Sequence, residues 1–236
     1  MSKLVLHVGT HKTASTTIQD TFHKNASLLA EHGLVYPQLG RVPGHHGLVY
    51  DWAKLPPIYE LPEGSRGALR KIAETYAQSD ATVFLSSEEF SRGAPVGDLF
   101  LAEARELLAP FDRIEVICLL RVQWQFLQSV YLEVSKIQNP PRSPELVGPV
   151  MESGTFRGLW VDYNGLLDQM EAVFDPREIT LLDFESSRSS PGGVLGTLLR
   201  HLDIPLDAAD LVPVNGGTSN VSPMPLAGWS ANVLSE

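Results

Sequence analysis

The order of apolar runs along the chain constrains its fold more than any other feature of the sequence. Four runs of five to seven residues are largely apolar from end to end, which is typical of parallel strands buried on both faces. Their bounds are residues 4–8, 81–85, 114–120 and 178–184. Stretches with apolar residues three and four positions apart, the period of an amphipathic helix, alternate with these runs. The alternation predicts an α/β fold with three layers, in which a mostly parallel central sheet is flanked by helices.

The predicted helices and two long segments between them complete the plan of the chain. Helical period is present at residues 15–31, 67–78, from the third strand to about Lys136, and 193–202. Residues 36–66 and 138–158 are poor in regular patterns and longer than most connections, so we interpret them as candidate lids, with plain surface loops as the alternative. We expect a single domain over residues 1–236, a length that allows one sizeable core.

Composition and charge limit the partners of the chain. It carries 28 acidic against 18 basic side chains, a formal net charge of −10, so it has no overall basic field for nucleic acid or an anionic membrane. No apolar run approaches the ~18 residues of a spanning helix, and no secretory leader precedes the first strand. The single cysteine, Cys118, lies in an apolar run and is expected to be a buried small hydrophobe. We therefore expect a cytoplasmic protein with no nucleic-acid partner and no integral membrane segment; its oligomeric state stays open.

The segment after the first strand has the chemistry of an anion site. It reads G-T-H-K-T-A-S-T-T from Gly9 to Thr17 and leads into the first predicted helix. In an open parallel sheet, ligands bind outside the carboxyl ends of the strands, where backbone N–H groups and helix N-termini face them. Gly9 allows a tight exit from the strand, Lys12 adds a charge, and Ser15 and Thr16 add hydroxyl donors. A phosphate group is the ligand that these residues favour, although hydroxyl clusters also cap helices that bind nothing.

The spacing within this loop separates two families of phosphate-binding proteins. The nucleoside-triphosphatase pattern G-x-x-x-x-G-K-[ST] needs a second glycine and a lysine directly before the capping hydroxyl, and this chain has neither. The loop instead resembles the 5′-phosphosulfate loop, K-T-G-[TS]-T, of the P-loop sulfotransferases that use 3′-phosphoadenosine 5′-phosphosulfate (PAPS). Ala14 stands where that family usually has glycine, so a positive φ there would strain the backbone. The resemblance implies a P-loop-like fold and assigns the phosphosulfate to Gly9, His11, Lys12, Thr13, Ala14, Ser15 and Thr16.

A second motif supports the same resemblance. The family holds the 3′-phosphate of its donor with an arginine at a strand end and a serine eight residues later, and Arg121 and Ser129 have that spacing. A guanidinium group and a hydroxyl can both bind one phosphate. Residues 163–186 also resemble the family's helix and strand before a Tyr-Glu pair, with Phe184 in place of the tyrosine. Asn215 and Ser219, in a tail expected to be irregular from 215 to 225, are further candidates near the nucleotide.

The resemblance implies a mechanism and a role for three residues. Sulfuryl transfer leaves negative charge on the departing adenosine 3′,5′-bisphosphate, which Lys12 and the loop amides are placed to stabilise. Glu88, separated from the second strand by two serines, is the candidate base for the acceptor's proton, and His46 in the first candidate lid is the competing one. Adjacent His45 and His46 lack the further ligands of a zinc site, and the mechanism requires no metal.

Two other classes of function stay open at this point. A P-loop kinase would also use a phosphate loop, with a strand-end carboxylate acting through Mg²⁺. A non-catalytic nucleotide-binding protein would bind the bisphosphate and sulfate nothing. The sequence does not identify the acceptor, which in the sulfotransferase interpretation is a hydroxyl or amine of a small molecule, a glycan or a lipid.

Overall fold

The computed structural model describes residues 1–97, 101–138, 142–214 and 224–234. Five strands form a central sheet in the order β2-β3-β1-β4-β7, and every neighbouring pair in it is parallel. A separate two-stranded antiparallel hairpin consists of β5 and β6. The strands are β1 (Lys3–His7), β2 (Leu34–Val35), β3 (Thr82–Ser86), β4 (Arg113–Leu120), β5 (Thr155–Phe156), β6 (Leu159–Trp160) and β7 (Ile179–Asp183).

Helices connect the strands and cover the sheet. They are α1 (Ser15–Lys24), α2 (Ala26–Glu31), α3 (Gly64–Tyr76), α4 (Leu101–Leu107), α5 (Gln123–Val134), α6 (Ser143–Ser153), α7 (Tyr163–Glu171), α8 (Phe184–Ser189), α9 (Gly193–His201) and α10 (Pro225–Leu234). Short 3₁₀ turns are present at His46–Leu48, Pro57–Tyr59, Glu88–Ser91, Pro176–Glu178 and Ala208–Asp210. The predicted α/β class and its mostly parallel sheet are confirmed.

The sheet has a hydrophobic core on each face. Leu4, Leu6 and Cys118 belong to one cluster, which packs against α3, α4 and α7. Val5 and Ile117, whose side chains point to the opposite face, belong to another cluster, which packs against α1 and α9. Because side chains alternate along a strand, continuous apolar runs fill both cores at once. The three-layer prediction follows directly from this pattern.

One predicted helix is divided in two. The prediction of a single helix over residues 15–31 is wrong at Asn25, where α1 ends and α2 begins. The Asn25 side chain is buried, and its amide bonds the backbone of Val212 in both directions, with Nδ2 donating to the carbonyl at 3.1 Å and Oδ1 accepting from the N–H at 2.8 Å. An asparagine that bonds distant backbone in this way competes with helix continuation.

The two candidate lids differ in structure. Residues 36–66 are largely irregular, with two 3₁₀ turns, and α3 begins at Gly64 rather than Gly67. The expectation that 138–158 is poor in regular structure is wrong, because α6 and β5 lie within it. Its prolines misled the prediction: Pro144 lies in the first helical turn, where no intrahelical N–H bond is lost, and Pro149 is accommodated inside the helix. The tail from 215 to 223 lies outside the described residues, and Pro225 begins α10.

Two further expectations can be compared with the structure. Cys118 is fully buried, and its burial raises the pKa of the thiol to about 12, which leaves it unreactive. Of the helices described, none combines the length and the apolar character needed to cross a membrane.

The core prediction can be tested at Phe22. Its ring is fully buried and lies edge-on to Phe84, with centroids 5.2 Å apart. We expect Phe22→Ala to lower the free energy of unfolding by about 3–5 kcal/mol, because it leaves a cavity against the sheet. Urea unfolding followed by circular dichroism measures the change. Ile137→Ala is the control, since that side chain is 87% exposed and its loss should change stability by less than about 0.5 kcal/mol.

Candidate functional site

The candidate site lies at the carboxyl edge of the central sheet. In the parallel register of β1, His7 pairs with Ser86 of β3 on one side and with Ile117 of β4 on the other. The loop after β1 extends this pairing, because the Val8 N–H donates to the Ile117 carbonyl at 2.9 Å and the Thr10 N–H donates to that of Leu119 at 3.2 Å. The segments after β1, β3 and β4 therefore leave the sheet at one edge.

The backbone of the loop is left-handed at two positions. Lys12 and Ala14 both have φ of 65°, and Ala14 directly precedes α1. The Thr13 hydroxyl donates to the Thr10 carbonyl and closes the turn between them. When left-handed and right-handed backbone conformations alternate, successive N–H groups point to one side and form a concavity that suits an anion. The glycine that the P-loop sulfotransferases usually have at this position would adopt this left-handed conformation freely. Ala14 adopts it with strain.

Two buried polar atoms beneath the loop have no partner among the described residues. They are Ser15 Oγ, on a side chain 4% exposed, and His7 Nε2, on a fully buried ring. Both lie within 3.2 Å of the point that a Cβ on Gly9 would occupy, so glycine is required there for space. Buried hydroxyls in native proteins are almost always hydrogen-bonded. The unpaired Ser15 hydroxyl, at the N-terminus of α1, therefore fits an anionic group bound at the loop.

Arg121 lies against this loop. Its Nη1 donates to the Lys12 carbonyl at 3.4 Å, its Nε contacts Glu185 Oε1 at 3.2 Å, and the guanidinium lies 5.2 Å from the Phe184 ring. The Tyr163 hydroxyl donates to the Arg121 carbonyl at 2.6 Å and holds the strand end in place. The structure thus brings the predicted strand-end arginine to the predicted anion-binding segment, residues 9–17, which we call the anion loop.

Helix α5 presents one face to the same loop. Ser129 is buried, and Glu133, one turn later on that face, contacts Lys12 Nζ through Oε2 at 2.8 Å. Burial favours a higher pKa for Glu133, but Lys12 and Lys136 outweigh it and lower the pKa. Lys12 and Arg121 therefore each have a carboxylate partner, and both partners lie partly in solvent.

Glu88 begins the turn that follows β3. Gln19 Nε2 donates to Glu88 Oε2 at 2.8 Å, and the Ser91 hydroxyl is within 3.0 Å of both the Gly9 and the Glu88 carbonyl oxygens. Burial favours a higher pKa for Glu88, but the nearby His11 and His46 rings and the Gln19 amide outweigh it and hold the pKa below its ordinary value. The carboxylate is therefore ionised at neutral pH and bound to α1, the helix that follows the loop.

Glu89, Arg92 and His11 form a second cluster beside Glu88. Glu89 Oε2 accepts from Arg92 Nε at 2.8 Å, and His11 Nε2 lies 3.2 Å from Glu89 Oε1 and 2.8 Å from Arg92 Nη2. The burial of Glu89 favours a higher pKa, but these two neighbours outweigh it and lower the pKa. Glu89 lies at the start of the 3₁₀ turn, where its N–H donates to the Ser87 hydroxyl at 3.2 Å. Its carboxylate also orders His11 within the loop.

The two loop histidines have different environments. His45 is buried, accepts from the Ser86 N–H at Nδ1 (2.9 Å) and donates from Nε2 to the Pro37 carbonyl, and its burial lowers its pKa to about 4. It is a neutral packing residue. His46 pairs with the Ser87 hydroxyl at 2.8 Å, packs on Tyr59 and lies close enough to Glu88 to affect its pKa. Glu88 and His46, the two candidate bases, thus both lie at the end of β3.

The described residues contain no cluster of three or more acidic, histidine or cysteine side chains suited to a metal.

No family model and no curated protein matches the chain. Its fold is that of a solved sulfotransferase. The sulfotransferase from Alicyclobacillus acidocaldarius is 13% identical, with a TM-score of 0.54 over 98% of this chain and 91% of that one. The sulfotransferase domain from the curacin biosynthetic pathway is also 13% identical, with a TM-score of 0.43 over 87% of this chain and 74% of that one. At this level of identity, the first likeness establishes the fold alone.

Several residues of the site were not found from the sequence. They are Gln19, Arg92, Glu133, Tyr163 and Glu185. The helical period of residues 15–31 does place Gln19 one turn after Ser15, but a single glutamine there carries no chemical signal. The remaining candidates, Asn215 and Ser219, lie outside the described residues.

The strain at Ala14 can be measured. We expect Ala14→Gly to raise the free energy of unfolding by about 0.5–1 kcal/mol, because relief of a left-handed alanine exceeds the entropy that glycine adds to the unfolded chain. Urea unfolding of both proteins gives the difference. The matched control is Ala172→Gly, at an exposed helix end with φ of −65°, where the same change should lower stability. A loss of stability at both positions would contradict the strain.

Proposed function

We propose that the protein is a sulfotransferase that moves a sulfuryl group from 3′-phosphoadenosine 5′-phosphosulfate to an acceptor hydroxyl or amine. The observation that carries the proposal is the contact of Arg121 with the Lys12 carbonyl, which joins a second cationic group to the anion loop. A donor with phosphate groups at both the 5′ and the 3′ position offers one anionic group to the loop and the other to Arg121. The fold shared with a solved sulfotransferase agrees with this assignment.

The residues divide into two binding groups. We assign the 5′-phosphosulfate to the loop, with Gly9 giving space, Thr13 and Ala14 setting the backbone, and Ser15 supplying the unpaired hydroxyl. His11, Lys12 and Thr16 complete that group. The 3′-phosphate is assigned to Arg121 and Ser129.

Charge determines what the remaining residues do in the transfer. The bound donor supplies the sulfuryl group and the bisphosphate leaving group. Lys12 stabilises the charge that grows on the leaving oxygen, and its present partner Glu133 is exposed enough to release it. Glu88, ionised and fixed by Gln19, accepts the proton of the acceptor. His46 is the alternative base at the same strand end.

The carboxylates after β3 favour this reaction over phosphoryl transfer through Mg²⁺. Glu88 is bound to the Gln19 amide, and Glu89 is bound to the guanidinium of Arg92. A kinase would need at least one of them directed to a metal ion or its water shell. We therefore place the kinase second, and the ligand experiment below separates the two.

The proposal predicts a strong preference for a ligand with two phosphates. Adenosine 3′,5′-bisphosphate should bind at least 10-fold more tightly than AMP, because only the bisphosphate reaches Arg121 and Ser129. Isothermal titration calorimetry measures both affinities without metal. Arg121→Ala should weaken the bisphosphate by roughly 10- to 100-fold, the equivalent of a charge-assisted hydrogen bond of about 1.5–3 kcal/mol, and should leave AMP nearly unchanged.

Two results of that titration would overturn the sulfotransferase proposal. One is equal affinity for the bisphosphate and AMP. The other is a clear preference for ATP with magnesium, which would favour the kinase. Arg177→Ala is the matched control, since Arg177 is exposed and pairs with Asp175 two residues away.

A second prediction concerns the base. Glu88→Gln keeps the shape of the side chain but cannot take up a proton at neutral pH, so turnover should fall by about 10²-fold or more while bisphosphate affinity changes little. His46→Ala should act mainly on the acceptor KM. Turnover is measured with labelled donor and an acceptor found by screening sugars, phenols and lipid-linked alcohols. If His46→Ala loses turnover while Glu88→Gln stays active, His46 rather than Glu88 is the base.

A further inference from the structure

Gln19 is a buried polar residue on a helix whose other buried side chains include Ile18 and Phe22. It lies one turn after Ser15 on α1, the helix that starts at the anion loop, and its side chain is nearly inaccessible. A buried amide is costly unless it is hydrogen-bonded. Gln19 Nε2 meets this demand at the end of β3, where it lies 2.8 Å from Glu88 Oε2 and 3.4 Å from the Ser86 carbonyl.

The orientation of the Gln19 amide follows from its neighbours. An ionised carboxylate only accepts hydrogen bonds, so the amide nitrogen must face Glu88. The amide oxygen points the other way: Gln19 Oε1 and His46 Nε2 each lie 2.6 Å from the point that a Cβ on Gly44 would occupy. Gly44 thus leaves room for the amide to sit between the two candidate bases.

A second link, from a side-chain hydroxyl to two main-chain carbonyls, connects the same elements. The Ser91 hydroxyl connects the turn at Glu88 to the Gly9 carbonyl, at the start of the anion loop. The β3 turn is therefore attached to the loop at its beginning by Ser91 and to the helix after the loop by Gln19. Of the two links, the Gln19 amide is the one that contacts the Glu88 carboxylate itself.

We propose that Gln19 is a positioning residue for the transfer reaction. Its side chain holds the Glu88 carboxylate in one orientation and couples it to α1, the helix that begins at the anion loop. This inference rests on the proposed function, because it concerns the base of that reaction. It assigns Gln19 no contact with the donor or the acceptor.

The titration of Glu88 gives a direct readout of this contact. Burial favours a higher pKa for Glu88, and Gln19 is one of the groups that lower it. Removing the amide donor leaves the burial in place, so the pKa of Glu88 should rise. The titratable groups that face Glu88 from the surrounding elements, and that stay in place in the variant, are His7, His11, Tyr36, His46, Tyr59 and the adjacent Glu89.

The experiment compares Gln19→Met with the wild type. Methionine has nearly the same length and shape but no donor. ¹³C NMR of protein labelled at glutamate carboxyls, with Glu88→Gln to assign the signal, should show the Glu88 pKa rising by about one pH unit or more. The acid limb of the kcat/KM profile should move upward by the same amount, and kcat should fall about 10-fold while calorimetric bisphosphate affinity stays unchanged. Gln78→Met, at an exposed position beyond α3, is the control for the substitution itself.

The outcomes separate this inference from the function on which it rests. An active wild type with coincident profiles for Gln19→Met would overturn the inference and leave the sulfotransferase proposal intact. A wild type without sulfuryl transfer to any acceptor would count against the function, while NMR, which needs no turnover, still decides the contact. An unchanged Glu88 pKa in folded Gln19→Met would overturn the inference about Gln19, whether or not the wild type is active. If Gln19→Met unfolds, Gln19→Glu serves instead, because a second carboxylate facing Glu88 must also raise the pKa measured for the pair.

Discussion

The parallel register of β1 with β3 and β4 is the constraint on which the site depends. His7 lies between Ser86 and Ile117, so β1 and β3 end at the same level and β4 ends three residues further, at Leu120. A slip of one residue would exchange the two faces of β1 and place Val5 in the core now filled by Leu4 and Leu6. The anion loop, the Glu88 turn and the Arg121 strand end would no longer meet. The site is thus a product of the same burial that stabilises the sheet.

A layer of buried histidine and serine supports this edge from below. His7 Nδ1 pairs with the Ser86 hydroxyl at 2.8 Å, and His45 takes the Ser86 N–H. Burial lowers the pKa of both histidines to about 4, so each is neutral and exchanges hydrogen bonds without burying a charge. This arrangement explains a polar layer inside an otherwise apolar sheet: it fixes the strand ends in place, while the charged groups lie above it, nearer to solvent.

The sequence predicted the parts of the molecule that depend on local pattern. The four long strands, the loop at Gly9 and the strand-end positions of Glu88 and Arg121 follow from short windows of sequence. Strand β2 has two residues and no period to detect, and α6 was concealed by its prolines. The partners Glu133 and Glu185 lie 121 and 64 residues from Lys12 and Arg121. Contacts at such separations depend on packing rather than on pattern, so no window could show them.

The pairing of the site's cations has a consequence for which anions the protein can accept. Lys12 and Arg121 are each neutralised by a carboxylate, and Arg92 by Glu89. Under the proposed function, an anion that binds the Lys12 or Arg121 side chain exchanges with the carboxylate already there, so a single small anion gains little at either cation. A ligand with two anionic groups on one frame displaces two carboxylates for one loss of translational freedom. Under the proposed function, Glu133 and Glu185 would therefore favour a ligand with two anionic groups over a single small anion.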